Sequence, residues 1–241
     1  MIDRESATAT AEKQRYSAIY DSEGELYDAL VNHEDFRGAL LPAIRALVAL
    51  EGLDVVELGA GTGRLTRLLA PHVASLRAFD AAPAMLEVAR RHLVGSPHVT
   101  FAVADHAETG VANASVDLVV EGWAFGHATH YFPGAWRPVV ARYVEESLRM
   151  LRPQGTLIVI ETLGTGATEP KPPNGELAAL YAWLEESGFA RSAIRTDYRF
   201  ASRSEGERIT RAFFHREFEF VVGDDGAAIL PECTGLWSRR L

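Results

Sequence analysis

The clearest chemical pattern in the sequence is an acidic residue followed by three glycines at every second position. In residues 55–71, VVELGAGTGRLTRLLAP, Glu57 precedes Gly59, Gly61 and Gly63. Glycine has no side chain, so the backbone can turn sharply and a ligand can lie against it. A segment with leucines at helical spacing follows. The pattern predicts a ligand-binding loop between a buried strand and a helix.

Three more acidic residues stand where later apolar runs end. Asp80 follows the run 76–79, Asp105 follows 99–104, and Glu121 follows 116–120. In open α/β sheets, ligands bind beyond the carboxyl ends of the strands. Asp80 at such a position can accept both hydroxyl hydrogens of a ribose, and Asp105 can accept from an adenine amino group. Both nicotinamide dinucleotides and S-adenosylmethionine fit this arrangement.

The spacing of the glycines distinguishes these two cofactors. The dinucleotide fingerprint is G-x-G-x-x-G, but its third glycine position is Arg64 in this chain. Glu57 is also badly placed beside a pyrophosphate, whereas it suits a ligand with an amino group and a sulfonium. The sequence therefore favours S-adenosylmethionine, with a nicotinamide-dependent oxidoreductase as the less favoured alternative.

Candidate catalytic residues lie after the fourth apolar run, in GWAFGHATHYFPGAW. His127 and His130 are in this segment, and histidine can take up a proton near neutral pH. A base is needed only if the nucleophile starts out protonated. His127 could instead simply hydrogen-bond to the backbone. Glu161 is a further candidate, with a structural ion pair as its alternative role.

Short apolar runs and helical segments alternate along the chain. Strands are predicted at 53–58, 76–80, 99–104, 116–120 and 156–162, with helices at 63–70, from about Pro83, and at 139–151. This alternation predicts a parallel sheet with helices on both faces. We expect a Rossmann-like, doubly wound, mostly parallel sheet of seven strands.

The remaining segments complete one expected domain, residues 1–241. Residues 1–45 are expected to form an N-terminal helical cap, and 50–165 the cofactor-binding core. In 166–241 we expect a helix at 177–186, an edge strand at 194–201 and a final strand around 229–239. Ser204 and Glu207 form a possible capping box for another helix.

Five stretches resemble the class I S-adenosylmethionine-dependent methyltransferases, in particular the small-molecule group called type 11 or UbiE-like. They are VVELGAGTGRLT, AFDAAPAMLEVAR, VTFAVADHAE, VDLVVEGWAFGH and SLRMLRPQGTLIVIETL. They occur in the family's order and cover about residues 53–163. The resemblance implies methyl transfer from S-adenosylmethionine to a small-molecule acceptor, with S-adenosylhomocysteine as product.

The resemblance also implies roles for individual residues. Gly59, Ala60 and Gly61 would line the methionine part, with Glu57 near its amino group. Asp80 would hold the ribose. The other implied cofactor-binding residues are Ala81 and Met85 beside the adenine, Asp105 and His106 at its amino group, Glu121 and Gly122 near the methyl group, and Tyr20, which with Asp21 would close over the cofactor.

Composition excludes several other classes of function. The net charge of −9 argues against a nucleic-acid partner, and no apolar run is long enough to cross a membrane. Cys233 is the only cysteine, which together with the lack of a secretory signal favours the cytoplasm. No metal is required. Because the binding motifs are clearer than the catalytic residues, a cofactor-binding protein without catalysis remains an alternative.

Overall fold

Seven strands form the central sheet of the computed structural model, which describes residues 24–241. In spatial order they are β3 (Val99–Val103), β2 (Ser75–Asp80), β1 (Asp54–Leu58), β4 (Val116–Gly122), β5 (Leu151–Thr165), β10 (Glu232–Arg240) and β6 (Ala190–Arg195). Strands β1 to β5 pair in parallel, and β10 is antiparallel to both of its neighbours. The predicted doubly wound, mostly parallel sheet of seven strands is confirmed.

Helices cover both faces of this sheet because the apolar residues of the strands alternate between two cores. Val56 and Val119 pack with α6 (Trp136–Met150) and α7 (Gly175–Glu186), and the short helix α5 (His127–Tyr131) joins the same core through Ala128. Val55 and Leu118 pack on the other side. The helices on that side are α2 (Leu40–Leu47), α3 (Arg64–Leu69), which continues into a 3₁₀ turn at Ala70–His72, and α4 (Pro83–His92). As predicted, α4 starts at Pro83, where the missing N–H has no helical partner to lose.

A second, three-stranded antiparallel sheet lies between β6 and β10 in the sequence, and it was not predicted. Its order is β7 (Tyr198–Phe200), β9 (Ala228–Leu230) and β8 (Val221–Val222). Helix α8 (Arg203–Phe214) packs on it through Ile209 and Phe213. Leu30 of α1 (Gly24–Val31) joins the same core. The N-terminal helix is thereby fixed to this added unit.

Two predicted strands are each divided in the structure. The expected edge strand 194–201 breaks between β6 and β7, because the Asp197 carboxylate turns back to accept from the backbone N–H of Glu232 and from Arg195. The expected strand 229–239 breaks at Pro231, which has no N–H to donate to a strand ladder. Each break separates the small sheet from the large one.

Two other boundaries were also wrong. Strand β5 begins at Leu151 rather than at residue 156 and continues to Thr165, and the helix before it ends at Met150. Helix α8 is capped two residues earlier than predicted, since Ser202 accepts from the N–H of Glu205. The Glu205 carboxylate in turn accepts from the N–H of Ala201 at 2.7 Å. The reciprocal cap exists, but on Ser202 and Glu205.

The N-terminal cap is described only in part. Helices α1 and α2 precede β1, whereas Tyr20 and Asp21 lie outside the described residues. None of the helices from residue 24 onward is long and apolar enough to cross a membrane.

Candidate functional site

The glycine loop joins β1 to α3 and is held by Asp80 at the end of β2. Gly59 and Gly61 have φ values of +71° and +54°, a region that residues with side chains rarely adopt. The N–H of Gly61 donates to Oδ2 of Asp80, and the N–H of Ala82 donates to Oδ1, both at 2.8 Å. A carboxylate offers about four acceptor positions. Asp80 is only half-buried and can still accept hydrogens from a ligand.

The end of β3 supplies the next side chains along this edge. Asp105 is exposed, and its Oδ1 accepts from the N–H of Ala107. The His106 ring packs edge-on against Phe125 and Tyr143, with centroids 5.6 Å and 5.0 Å away. Burial lowers the pKa of His106, so a neutral imidazole faces the loop.

Ala81 and Met85 differ sharply in exposure. Ala81 is exposed at the edge. Met85 is fully buried, and its Sδ lies 3.3 Å from where a Cβ on Gly24 would be. Met85 therefore supports α1 in addition to lying under the edge.

Glu57 lies inside the protein beneath the glycine loop. It is 1% exposed, and its Oε2 accepts from the Thr66 hydroxyl at 2.6 Å. Burial raises its pKa to about 8, more than the Thr66 hydrogen bond lowers it. A cationic group placed beside this carboxyl would favour its ionised form.

Glu121 and Gly122 end β4 and have different surroundings. Oε1 of Glu121 accepts from the N–H groups of Ala124 and Phe125, whereas the buried Oε2 has no hydrogen-bond partner among the described residues. Burial and the nearby Glu161 raise the pKa of Glu121. A Cβ on Gly122 would lie 2.4 Å from Cδ1 of Leu65. The glycine is needed there for packing against α3.

A cavity of about 600 Å³ opens beside the glycine loop. It is lined by α1, the segment after β4, the end of β5, the loop 164–174 and the small added sheet. Tyr27 lines it, and Cε1 of Tyr27 lies 3.5 Å from the position of a Cβ on Gly61. No described residue among the predicted cofactor-binding set lines the cavity. The predicted cofactor-binding residues and the cavity thus occupy adjacent parts of one edge.

An ion pair lies at the boundary between loop and cavity. Arg64, the first residue of α3, donates to Glu34 at 2.7 Å, and the two side chains are only 13% and 4% exposed. The guanidinium also stacks over Trp123, 4.1 Å from the ring centroid. Arg64, which stands where the dinucleotide fingerprint has its third glycine, therefore also has a structural role. Its charge is fixed between α1 and β4.

Both predicted catalytic histidines line the cavity, and so does Glu161. Burial, with smaller contributions from His130 and His106, lowers the pKa of His127 to about 4. Oε1 of Glu161 accepts from the N–H of Gly126 at 2.6 Å, and burial raises its pKa to about 8. The cavity thus holds groups that can accept a proton. No cluster of metal-ligating side chains occurs within residues 24–241.

Comparison with known proteins identifies the central part of the chain. Residues 56–159 match the family model described as a methyltransferase domain. The demethylmenaquinone methyltransferase of Clavibacter sepedonicus is 29% identical over 151 residues, which are 60% of this chain and 57% of that protein. Residues 56–159 therefore form a methyltransferase domain, the part of the chain that the family model covers. The family resemblance read from the sequence is confirmed.

Solved structures of other methyltransferases have a similar fold. A putative type II methyltransferase from Anaeromyxobacter dehalogenans superposes with a TM-score of 0.56 at 18% identity, over 84% of this chain and 95% of that one. The Haemonchus contortus phosphoethanolamine N-methyltransferase 1, solved with phosphoethanolamine and S-adenosylhomocysteine, gives 0.53 at 16% identity, over 93% of this chain and 49% of that one. At such identities the likeness shows the fold alone.

The residues of the methyltransferase domain fit its cofactor. Asp80 offers acceptors for sugar hydroxyls, Glu57 offers a carboxyl that a cation would ionise, and the glycine loop offers bare backbone. Of the twelve predicted cofactor-binding residues, only Tyr20 lies outside the described part.

Other residues of the site carried no recognisable signal in the sequence. Tyr27 is one of several tyrosines near the N-terminus, and Glu34 and Glu232 have no motif around them. Trp123 lies next to a predicted residue, yet nothing in the sequence indicated its φ of +55°. They come together only through tertiary packing.

Proposed function

We propose that this chain transfers a methyl group from S-adenosylmethionine to a small molecule bound in the cavity. The observation that carries the proposal is the adjacency of the cavity to the glycine loop through Tyr27 and Arg64. The cofactor supplies a methyl group already activated by a sulfonium. The protein must mainly hold a nucleophile in line with that methyl group.

Each part of the edge has a proposed task. Asp80 would accept from the ribose hydroxyls, Glu57 would face the amino group, and Asp105 with His106 would hold the adenine side. In the cavity, His127, His130 and Glu161 are the candidate proton acceptors. His127 is suited to this task because its lowered pKa keeps it neutral near pH 7.

The relatives do not identify the methyl acceptor of this chain. The relatives are named for different acceptors, among them demethylmenaquinone, malonyl-[acyl-carrier protein] and phosphoethanolamine, and the chain spans 57% of the first protein's length. Net charge −9 favours a small molecule over a nucleic acid. We further propose that residues 1–241 act as one domain and that the protein works in the cytoplasm, which suits its single, free, buried cysteine.

Isothermal titration with S-adenosylmethionine, S-adenosylhomocysteine and NADH tests the cofactor. We expect the two sulfur compounds to bind and NADH not to bind. Asp80→Ala should weaken binding by about 1–3 kcal/mol, because the sugar hydroxyls would lose their hydrogen-bond acceptor. Asp224→Ala, in the exposed turn after β8, is the matched control and should bind normally. Binding of NADH alone would overturn the proposal in favour of an oxidoreductase.

Turnover separates an enzyme from a protein that only binds the cofactor. Formation of S-adenosylhomocysteine should be measured with a panel of phenols, amines and compounds with an acidic carbon. Activity with any of them supports transfer. Tight cofactor binding without product across the panel would favour the non-catalytic alternative.

A further inference from the structure

The inner wall of the cavity carries more carboxyl groups than positive charges. Glu34, Glu161 and Glu232 line it, and Arg64 is the buried cation among the described lining residues. Since Arg64 donates to Glu34 at 2.7 Å, its charge is already balanced. Lys171 and Arg216 also line the cavity but are exposed. Glu161 and Glu232 are left without a paired cation among the described residues.

Glu232 also has an oxygen without a partner. It is 1% exposed, and its Oε1 accepts from the Thr162 hydroxyl at 2.6 Å. Its Oε2 is buried and has no partner in hydrogen-bond geometry among the described residues, although the Thr165 side chain lies close enough to lower the pKa of this carboxyl. A buried acceptor left unpaired is costly, and most such groups in native proteins are satisfied by protein, water or ligand. A donor from a bound molecule would satisfy this one.

The two carboxyls lie at different depths along the same pair of strands. In the antiparallel register of β10 with β5, Glu232 is opposite Thr165, whereas Glu161 is opposite Gly235. Three to four residues of strand separate them, about 10–13 Å of backbone at the usual rise. Glu161 is near Gly126 and Glu121 at the end of β4, whereas Glu232 is near Thr162 and the ion pair of Glu34 with Arg64. One molecule of moderate size could contact both.

Aromatic side chains form much of the remaining wall. Tyr198 and Phe213 belong to the added unit, and Tyr27 belongs to α1. Trp123 and Phe214 complete the aromatic lining. Such a wall suits an apolar body, and aromatic faces also attract cations.

We propose that the methyl acceptor is an amine-bearing molecule whose cationic amino group binds Glu232, with its nucleophile lying toward Glu161 and His127. The ammonium donates to the unpartnered Oε2 and balances a carboxylate that has no cation of its own. The body of the acceptor lies between the aromatic side chains. This inference rests on the proposed function, because it assigns the acceptor of the same site.

Three 4-hydroxyphenyl probes that differ in their end group test the proposal: tyramine, 2-(4-hydroxyphenyl)ethanol and 3-(4-hydroxyphenyl)propionate. Each is titrated calorimetrically into the full chain, with and without saturating S-adenosylhomocysteine. We expect the amine to bind at least about tenfold more tightly than the alcohol, and the acid more weakly still. Glu232→Gln should abolish the preference for the amine. Glu87→Gln removes an equal charge from the exposed side of α4 and should preserve it.

The outcomes separate this inference from the proposed function. If S-adenosylhomocysteine binds but the alcohol or acid binds as tightly as the amine, or the amine gives no measurable binding, the inference is wrong and the proposed function stands. That result is expected if Oε2 of Glu232 accepts from a water molecule or from a hydroxyl group instead of an ammonium. If the amine preference is found but S-adenosylhomocysteine does not bind, the proposed function fails on its own.

A pH series on the wild-type chain and on Glu232→Gln gives a second test, and the variant is needed because burial also raises the pKa of Glu161 in the same cavity to about 8. Burial, and secondly Glu34, raise the pKa of Glu232 to about 8. The amine affinity should therefore rise from about pH 6 to about pH 8 as the carboxyl ionises, and the alcohol affinity should not. The titratable or charged groups that face Glu232 are Glu34, Arg64, Tyr181, Asp197 and Tyr198. The pKa values of both tyrosines are raised, so neither ionises in this interval. A flat profile for tyramine would overturn the inference.

Discussion

At the scale of single residues, the site depends on positions where even a methyl group is too large. A Cβ on Gly59 would lie 2.4 Å from Cβ of Ala124 and 3.4 Å from Cε1 of His106. The loop after β4 and the end of β3 therefore pack directly against the backbone that the cofactor is expected to contact. Gly59 also has a φ of +71°, so two separate reasons require glycine here.

The effect of the positive φ can be separated from the effect of the steric clash by comparing Gly59 with a glycine that has only the positive φ. Gly95 has a φ of +89°, and no atom lies within 4 Å of the position that a Cβ would take there. Gly95→Ala therefore has only the conformational cost, about 1 kcal/mol. Gly59→Ala should lose at least about 2 kcal/mol of unfolding free energy, because the clash is added. It should also lose S-adenosylhomocysteine binding. Urea unfolding and calorimetry check both; equal effects of the two variants would show that the close approach to Ala124 is unimportant.

Two of the candidate proton acceptors, Glu161 and His127, make different predictions for the pH dependence of turnover. If Glu161 is the base, its pKa of about 8 means that the rate rises toward that pH. If His127 is the base, its pKa of about 4 gives a rate that is flat at neutral pH. We expect Glu161→Gln to lower kcat by about 10²–10⁴-fold and to remove the alkaline rise. The rate should be measured with an acceptor found in the panel, and His127→Gln should be compared directly. A Glu161→Gln enzyme that keeps the rise would exclude Glu161.

At the scale of elements, the sequence identified the strands and helices of the parallel core because these have strong local patterns. The short valine-rich runs before Glu57 and Glu121 are largely buried, and acids follow them at the ligand edge. The small sheet was missed because β7 and β8 have only three and two residues, too few to show alternation. Glu232 joins the cavity through the register of β10, which no local pattern specifies.

The cap of α8 gives a direct test of one corrected boundary. Ser202 accepts from the N–H of Glu205, whereas Ser204 is an exposed residue within the first turn of the helix. Ser202→Ala should lower the free energy of unfolding by about 1 kcal/mol. Ser204→Ala should change it by less than about 0.5 kcal/mol. Both are measured by urea unfolding. The reverse order of effects would support the cap at Ser204 and Glu207 that the sequence suggested.

At the scale of the whole molecule, the protein buries several carboxyls at the same edge of the sheet. Burial raises the pKa values of Glu57, Glu161 and Glu232 to about 8 and also raises that of Glu121. In the unfolded chain these groups ionise near their ordinary value of 4.5. Between these two values the folded protein holds more protons than the unfolded one. Folding of the ligand-free protein is therefore opposed by ionisation of these carboxyls, a cost that the proposed cationic ligands would offset on binding.

The sign of this effect gives a prediction for stability against pH. Because the folded state binds more protons, the free energy of unfolding should be fully maintained below about pH 4.5 as far as these carboxyls are concerned, and should fall as pH rises toward about 8. Each carboxyl contributes at most about 1.4 kcal/mol per pH unit. Glu57→Gln removes one such group and should flatten the curve, whereas Glu87→Gln, an exposed change on α4, should leave its slope unchanged. Urea unfolding of the ligand-free protein from about pH 5 to about pH 8 measures the slopes. Parallel curves for the wild type and Glu57→Gln would mean that Glu57 is already ionised in the folded protein, and the edge would then carry a negative charge before any ligand binds.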